Sequence, residues 1–148
     1  MDVTLDRLVE FVSNHWIMSS GLLIVVVLLI QDFLESAFRK YQIASPIQAV
    51  TLMNGDDTLV VDVREPGEYA DGHIEGARNI PLSKLEENIP ALEAHKQRPL
   101  IVVCQSGTRS PQACRKLSAQ GFAQVYELKG GMLAWEDQKL PISKKRKK

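Results

Sequence analysis

The sequence holds only two cysteines, Cys104 and Cys114, in 148 residues. A small secreted domain stapled by disulfides normally carries more of them, at set spacings. These two flank a loop and one turn of helix, a poor arrangement for a structural bridge. Free thiols point to a reducing compartment. Net charge is also lacking: 18 Lys and Arg stand against 18 Asp and Glu. The zero hides a pattern, because the last five residues, Lys144 to Lys148, are all basic and the rest of the chain is mildly acidic. Nothing in the body of the chain suggests a nucleic-acid face. No internal repeat is present. A basic stretch is missing from the N-terminus, where Arg7 stands among Asp2, Asp6 and Glu10. No small-x-small cleavage site directly follows the first apolar run; Ser36-Ala37 is the nearest, with Glu35 beside it. Both absences argue against a cleaved signal peptide.

That apolar run is the first feature present. Trp16 to Ile30 contains no charge. Fifteen helical residues span only about 22 Å, short of a bilayer core of roughly 30 Å. Starting at Phe11 gives about twenty, enough for one crossing, with Ser13, Asn14 and His15 near the interface beside Trp16. The expectation is a short tail over 1–10 and an uncleaved transmembrane anchor over 11–30, so that the lipid bilayer is a partner. Arg39 and Lys40 follow the run and only Arg7 precedes it, which places the C-terminal part in the cytoplasm, at a bacterial inner membrane. Phe33, Leu34, Ala37, Phe38 and Tyr41 recur at helical spacing, so 31–42 reads as a helical stalk. The basic tail over 143–148 either touches anionic lipid or stays a solvated end.

From Ile43 to Ile142 the pattern becomes α/β. Ser45-Pro46 starts a helix with a capping residue and then Pro at the first helical position. Residues 58–63 read as a buried strand, and 76–81 as a short strand near an edge. A helical stretch over 82–95 is divided by Pro90. Leu100 to Val103 is the most buried strand. Ser110-Pro111 caps the next helix, which Gly121 ends as a left-handed cap, letting Phe122 pack back onto Leu117. A strand over 125–128, a turn at Gly130-Gly131 and a last helix through Trp135 follow. Strands alternating with helices imply an open parallel sheet with right-handed crossovers.

The chemistry concentrates in Cys104-Gln105-Ser106-Gly107-Thr108-Arg109-Ser110. Reactive sites in open α/β sheets lie beyond the carboxyl ends of the strands, and Cys104 stands at such an end. The helix that follows brings N–H groups and a dipole that favour negative charge. A helix N-terminus and an arginine both lower a cysteine pKa, so Cys104 is expected as a thiolate near neutral pH. Gly107 lets the loop curl, and the amides from Gln105 to Ser110 can point inward as an anion-binding nest. Arg109 offers a planar fork for an oxyanion such as a sulfonate. Cys104 is thus the candidate nucleophile, and Gln105, Ser106, Gly107, Thr108, Arg109 and Ser110 form the candidate anion loop.

Several motifs then match one family in order. Asp62-Val63-Arg64-Glu65, Gly72-His73-Ile74-Glu75-Gly76-Ala77 with Asn79-Ile80-Pro81, the loop Cys104 to Ser110, and Gly130-Gly131 with Trp135 cover about a hundred residues. From about Ser45 to Ile142 the chain resembles a single rhodanese domain, the sulfurtransferase family. With the expected anchor, the whole is similar to small bacterial inner-membrane proteins carrying one such domain. The resemblance implies a parallel sheet of about five strands with helices on both faces. It also implies that a sulfane sulfur moves from a thiosulfate-like donor to a persulfide on Cys104, then to cyanide or a thiol. No metal or organic cofactor is implied. Cell-cycle-type cysteine phosphatases share the fold but have five residues between Cys and Arg; here there are four, a smaller cradle that suits sulfur better than phosphate. A different class of function is a non-catalytic binding module on the same fold. Asp62 and Arg64 read as a structural ion pair, His73 as a structural hydrogen-bonder, Cys114 as a small core residue rather than a resolving thiol, and Trp135 as core.

Overall fold

A computed structural model describes residues 2–37, 39–55 and 57–144. The chain forms two units, residues 1–39 and 40–148. The first holds helices α1 (Asp2–Asn14) and α2 (Trp16–Ala37). A turn at His15 separates them. Among the described residues, no helix is long and apolar enough to cross a membrane. The anchor expected over 11–30 is therefore not found, and a bilayer partner for this segment has no support. The uncharged apolar run in α2, Trp16 to Ile30, spans about 22 Å, short of a hydrocarbon core of roughly 30 Å, before polar Gln31 and Asp32 follow. Helix α2 instead runs on to Ala37 through the stretch expected as a stalk, and its apolar side chains from Trp16 to Ile30 are largely exposed.

The second unit is a five-stranded sheet in the order β1-β5-β4-β2-β3, parallel throughout. Its strands are β1 (Gln42–Ala44), β2 (Leu59–Asp62), β3 (Arg78–Asn79), β4 (Pro99–Val103) and β5 (Gln124–Leu128). The central strand β4 pairs Leu100 with Leu59 on one side and with Val125 on the other. Alternation along the strands divides the core into two layers. Leu59, Val61, Leu100, Val102 and Val125 pack with Leu85, Ile89 and Leu92 of α5 (Leu85–Leu92) and with Ala113, Cys114 and Leu117 of α6 (Ser110–Ala119). Val60, Ile101, Val103 and Leu128 pack on the other face with Ala49 of α3 (Pro46–Met53) and with Met132 and Trp135 of α7 (Gly131–Asp137). A short helix α4 (Pro66–Asp71) follows β2. Each fully buried aliphatic side chain contributes about 1.5–3 kcal/mol relative to exposure.

Several local rules hold as read. Ser45 caps α3, accepting from the Gln48 amide, while Gln48 Oε1 accepts from the Ser45 amide at 2.9 Å. Gly121 takes φ +89°, and the amides of Gly121 and Phe122 return to the carbonyls of Ser118 and Leu117 at 3.2 and 3.3 Å. That is the glycine-terminated helix end, closed by the apolar contact of Phe122 with the layer holding Leu117.

Other expectations are corrected. Pro90 does not divide its helix but sits inside α5, two residues before its end, with single tight turns at Leu82–Lys84 and Glu93–His95 flanking it. The edge strand β1 was not distinguished in the sequence, since only three residues pair. Ser110 does not cap α6; Arg109 occupies that position, and the Ser110 side chain turns inward. Ser143, expected in the tail, exchanges backbone hydrogen bonds with His73 at 2.8 and 2.9 Å and belongs to the domain. The rest of the expected tail, from residue 145, lies outside the described residues.

Candidate active site

The carboxyl end of β4 delivers Cys104 beneath the start of α6. Two features hold the strand end there. The N–H groups of Met132 and Leu133, in the first turn of α7, donate to the carbonyls of Cys104 and Gln105 at 2.8 and 3.1 Å. Gly131 makes that approach feasible: it takes φ +59°, and a Cβ there would collide with the Cys104 carbonyl oxygen. On the other side, the buried Arg64 reaches across from the end of β2. Its Nη1 donates to Gln105 Oε1 at 2.9 Å, while Nε and Nη2 grip Asp62 and Nη2 also donates to the Gly72 carbonyl. Asp62 and Arg64 are therefore the structural pair expected, and they brace the loop.

Within the loop the sulfur lies at the centre. Cys104 has no exposed surface. The Gly107 amide donates to its Sγ at 3.0 Å, and its S–H donates to Ser110 Oγ at 3.3 Å. Burial alone would raise the thiol pKa, but the Ser110 hydroxyl and the amides of Ser110, Arg109 and Gly107 outweigh it and hold the thiol below its ordinary value. Gly107 takes φ +91°. Ser106 and Thr108 form an exposed rim, their hydroxyls 3.3 Å apart.

The Arg109 guanidinium does not turn its fork to an empty cradle. Nη1 and Nη2 donate to Glu68 Oε2 and Oε1 at 2.8 and 2.7 Å. Glu68 also accepts from the Glu65 amide. The Arg109 hydrogen bonds hold the Glu68 carboxyl down, from 4.5 to about 2. The lowering of the Cys104 thiol thus comes from a hydroxyl and amides, with Arg109 tied to a carboxylate. Glu68 was not singled out in the sequence, because it reads as a surface charge in α4 and meets Arg109 only through the fold.

The remaining candidates fall into structural places. His73 donates from Nδ1 to the Tyr69 carbonyl at 2.7 Å and stacks on the Tyr69 ring. Trp135 is buried and donates from Nε1 to the Pro141 carbonyl. Cys114 is free and fully buried; burial first, then the nearby negative charge of Glu127, pushes its thiol far up. It sits in the core layer with Ala113 and Leu117, the place expected for it. Glu127, a buried carboxylate joined to Ser110, was also missed. Its signal was a lone charge inside the strand Val125 to Leu128.

Comparison with known proteins agrees with this geometry. A rhodanese-like domain model matches residues 45–138. YibN, an uncharacterized protein of Escherichia coli K12, is 32% identical over 139 residues, covering 93% of this chain and 97% of that protein. GlpE of Pseudoalteromonas translucida, a thiosulfate sulfurtransferase, is 34% identical over 100 residues, covering 68% of this chain and 90% of that protein. The crystal structure of a rhodanese-related protein from Thermoplasma volcanium superposes with a TM-score of 0.63 at 31% identity, covering 70% of this chain and 98% of that one. The match of the rhodanese-like domain model over residues 45–138, more than half of the chain, places the chain in the rhodanese-like domain family.

Proposed function

We propose that the protein is a thiosulfate-type sulfurtransferase that carries sulfur as a persulfide on Cys104. The observation that carries this reading is the Cys104 sulfur itself, at the end of the central strand, with the Gly107 amide donating to it at 3.0 Å. Such a site stabilises an anion on sulfur and needs no separate base. The thiolate attacks the sulfane sulfur of a donor such as thiosulfate. A new S–S bond forms, the donor's S–S bond breaks, and sulfite leaves with the electron pair. The terminal persulfide sulfur carries the negative charge into the loop. An acceptor thiol or cyanide then attacks that sulfur, and Cys104 is released as the thiolate.

Gln105, Ser106, Gly107, Thr108, Arg109 and Ser110 shape the cradle. Arg109 acts with Glu68 attached: two of its five N–H donors are taken, and the others remain for a sulfonate. Because Cys104 is fully buried, the exposed rim of Ser106 and Thr108 must part to admit the donor. The two free cysteines support a reducing compartment, the cytoplasm, as the setting of this chemistry. The test is thiocyanate formation from thiosulfate and cyanide. Wild type is expected to turn over and Cys104→Ser to fall to background. Equal turnover by the serine variant would remove Cys104 from the mechanism.

A further inference from the structure

Strand β5 lies inside the sheet, between β1 and β4, where apolar side chains are the rule. Glu127 departs from that rule. It is 7% exposed and lies on the same side of the sheet as Val125, facing α6. A carboxylate in such a layer is costly unless its oxygens are satisfied. Ser110 Oγ donates to Glu127 Oε1 at 3.1 Å, and the same oxygen of Ser110 accepts the Cys104 S–H at 3.3 Å. A Cβ on Gly107 would lie 3.8 Å from Glu127 Oε1, so this carboxylate also backs the loop. Cys114 of α6 lies near Glu127, whose negative charge acts on that thiol, and the charges of Cys104 and Arg115 act on the same thiol. Its partners across the sheet, Ile43 of β1 and Val102 of β4, carry no charge.

The Ser110 hydroxyl has a single proton. While that proton is given to Glu127, a lone pair of Ser110 faces the sulfur, which suits the thiol. For the hydroxyl to support a thiolate, its proton must turn to sulfur and leave Glu127. We propose that Glu127 is a positioning residue that acts through Ser110 to hold Cys104 as the thiol and to set the pH at which the thiolate forms. The inference rests on the reading of Cys104 as nucleophile. In the persulfide the charge lies one sulfur further out, so the competition for the Ser110 proton is relieved. Glu127 therefore favours the sulfur-loaded protein over the free thiolate.

The test is the rate of Cys104 alkylation by iodoacetamide against pH, in the full chain, read by mass spectrometry on the peptide containing Cys104. Glu127→Gln and the apolar Glu127→Leu are each made with Ser110 present and with Ser110→Ala. With Ser110 present, both variants are expected to lower the midpoint by about one pH unit, the worth of one hydrogen bond to a charged group. With Ser110→Ala the shift is expected to shrink clearly. An unchanged or raised midpoint, or an equal fall in both backgrounds, would overturn the proposal. The use of two variants keeps the test open where one fails to fold. Alkylation needs no sulfur donor, so the result stands whether or not the protein transfers sulfur.

Discussion

Replacing Gly131 by alanine tests how the loop is held. Gly131 takes φ +59°, and its missing side chain leaves room for the carbonyls of Cys104 and Gln105. An alanine in a left-handed conformation costs about 1–2 kcal/mol. Its Cβ also meets the backbone at the Cys104 oxygen, so the loop or the helix must move. That movement breaks the bonds from Met132 and Leu133 to Cys104 and Gln105, each worth about 0.5–1.5 kcal/mol. Together the loss is about 2–5 kcal/mol, within the total stability of an ordinary domain, so the variant still folds. The control is Gly121→Ala. Gly121 is also left-handed, at φ +89°, but no atom lies within 4 Å of the added methyl. Its cost stays at about 1–2 kcal/mol, with the site untouched. Urea unfolding gives the stabilities, and the rate of Cys104 alkylation reports the site. Gly131→Ala is expected to lose more stability and to change the alkylation rate, and Gly121→Ala to leave that rate as in wild type. Equal stability and equal reactivity of the two variants would refute the clamp.

Glu68→Gln tests the Arg109 pair. The carboxyl is held down to about 2, so its contribution is complete above about 4.5 and is lost as pH falls through about 2. The pair is about a third exposed, at 33% and 34%, and solvent screening limits it to about 1 kcal/mol. The variant should be less stable than wild type at pH 7 by about that amount, with the difference closing between about pH 4.5 and 2; a pH-independent difference by urea unfolding would contradict the assignment. Cys114→Ala should retain most sulfur transfer, because burial keeps that thiol protonated, and should cost about 1 kcal/mol for the small cavity; loss of transfer in a folded variant would make it a participant. Asp62→Ala leaves the buried Arg64 charge without its partner, which costs about 3–5 kcal/mol and also loosens Gln105; thermal unfolding within 1 °C of wild type would show the pair to be dispensable.

The features legible in the sequence were those encoded over a few residues. The apolar run before Cys104, Pro111 just inside the next helix, the Gly121 stop and the Ser45 cap each have a local physical cause, and the structure shows them. The pairings that tune the site were not legible, because they join distant segments. Glu68 meets Arg109 across 41 residues, and Glu127 meets Ser110 across 17. In a one-dimensional pattern Glu68 looks like an ordinary surface charge, and Glu127 shows only as a lone charge inside its strand. Ser110 shows the same limit from the other side: its type and place before proline are those of a helix cap, but tertiary contacts turn its hydroxyl to Cys104 and Glu127. The span expected over 11–30 rested on hydropathy alone, and among the described residues no helix is long and apolar enough to cross a membrane.

The most direct test of the central claim is the mass of the full chain after treatment with thiosulfate and removal of excess donor. Cys104 is expected to gain one sulfur atom, which cyanide then removes, and Cys104→Ser is expected to gain none. No added sulfur on the wild type, or the same gain on the serine variant, would contradict a persulfide carried by Cys104.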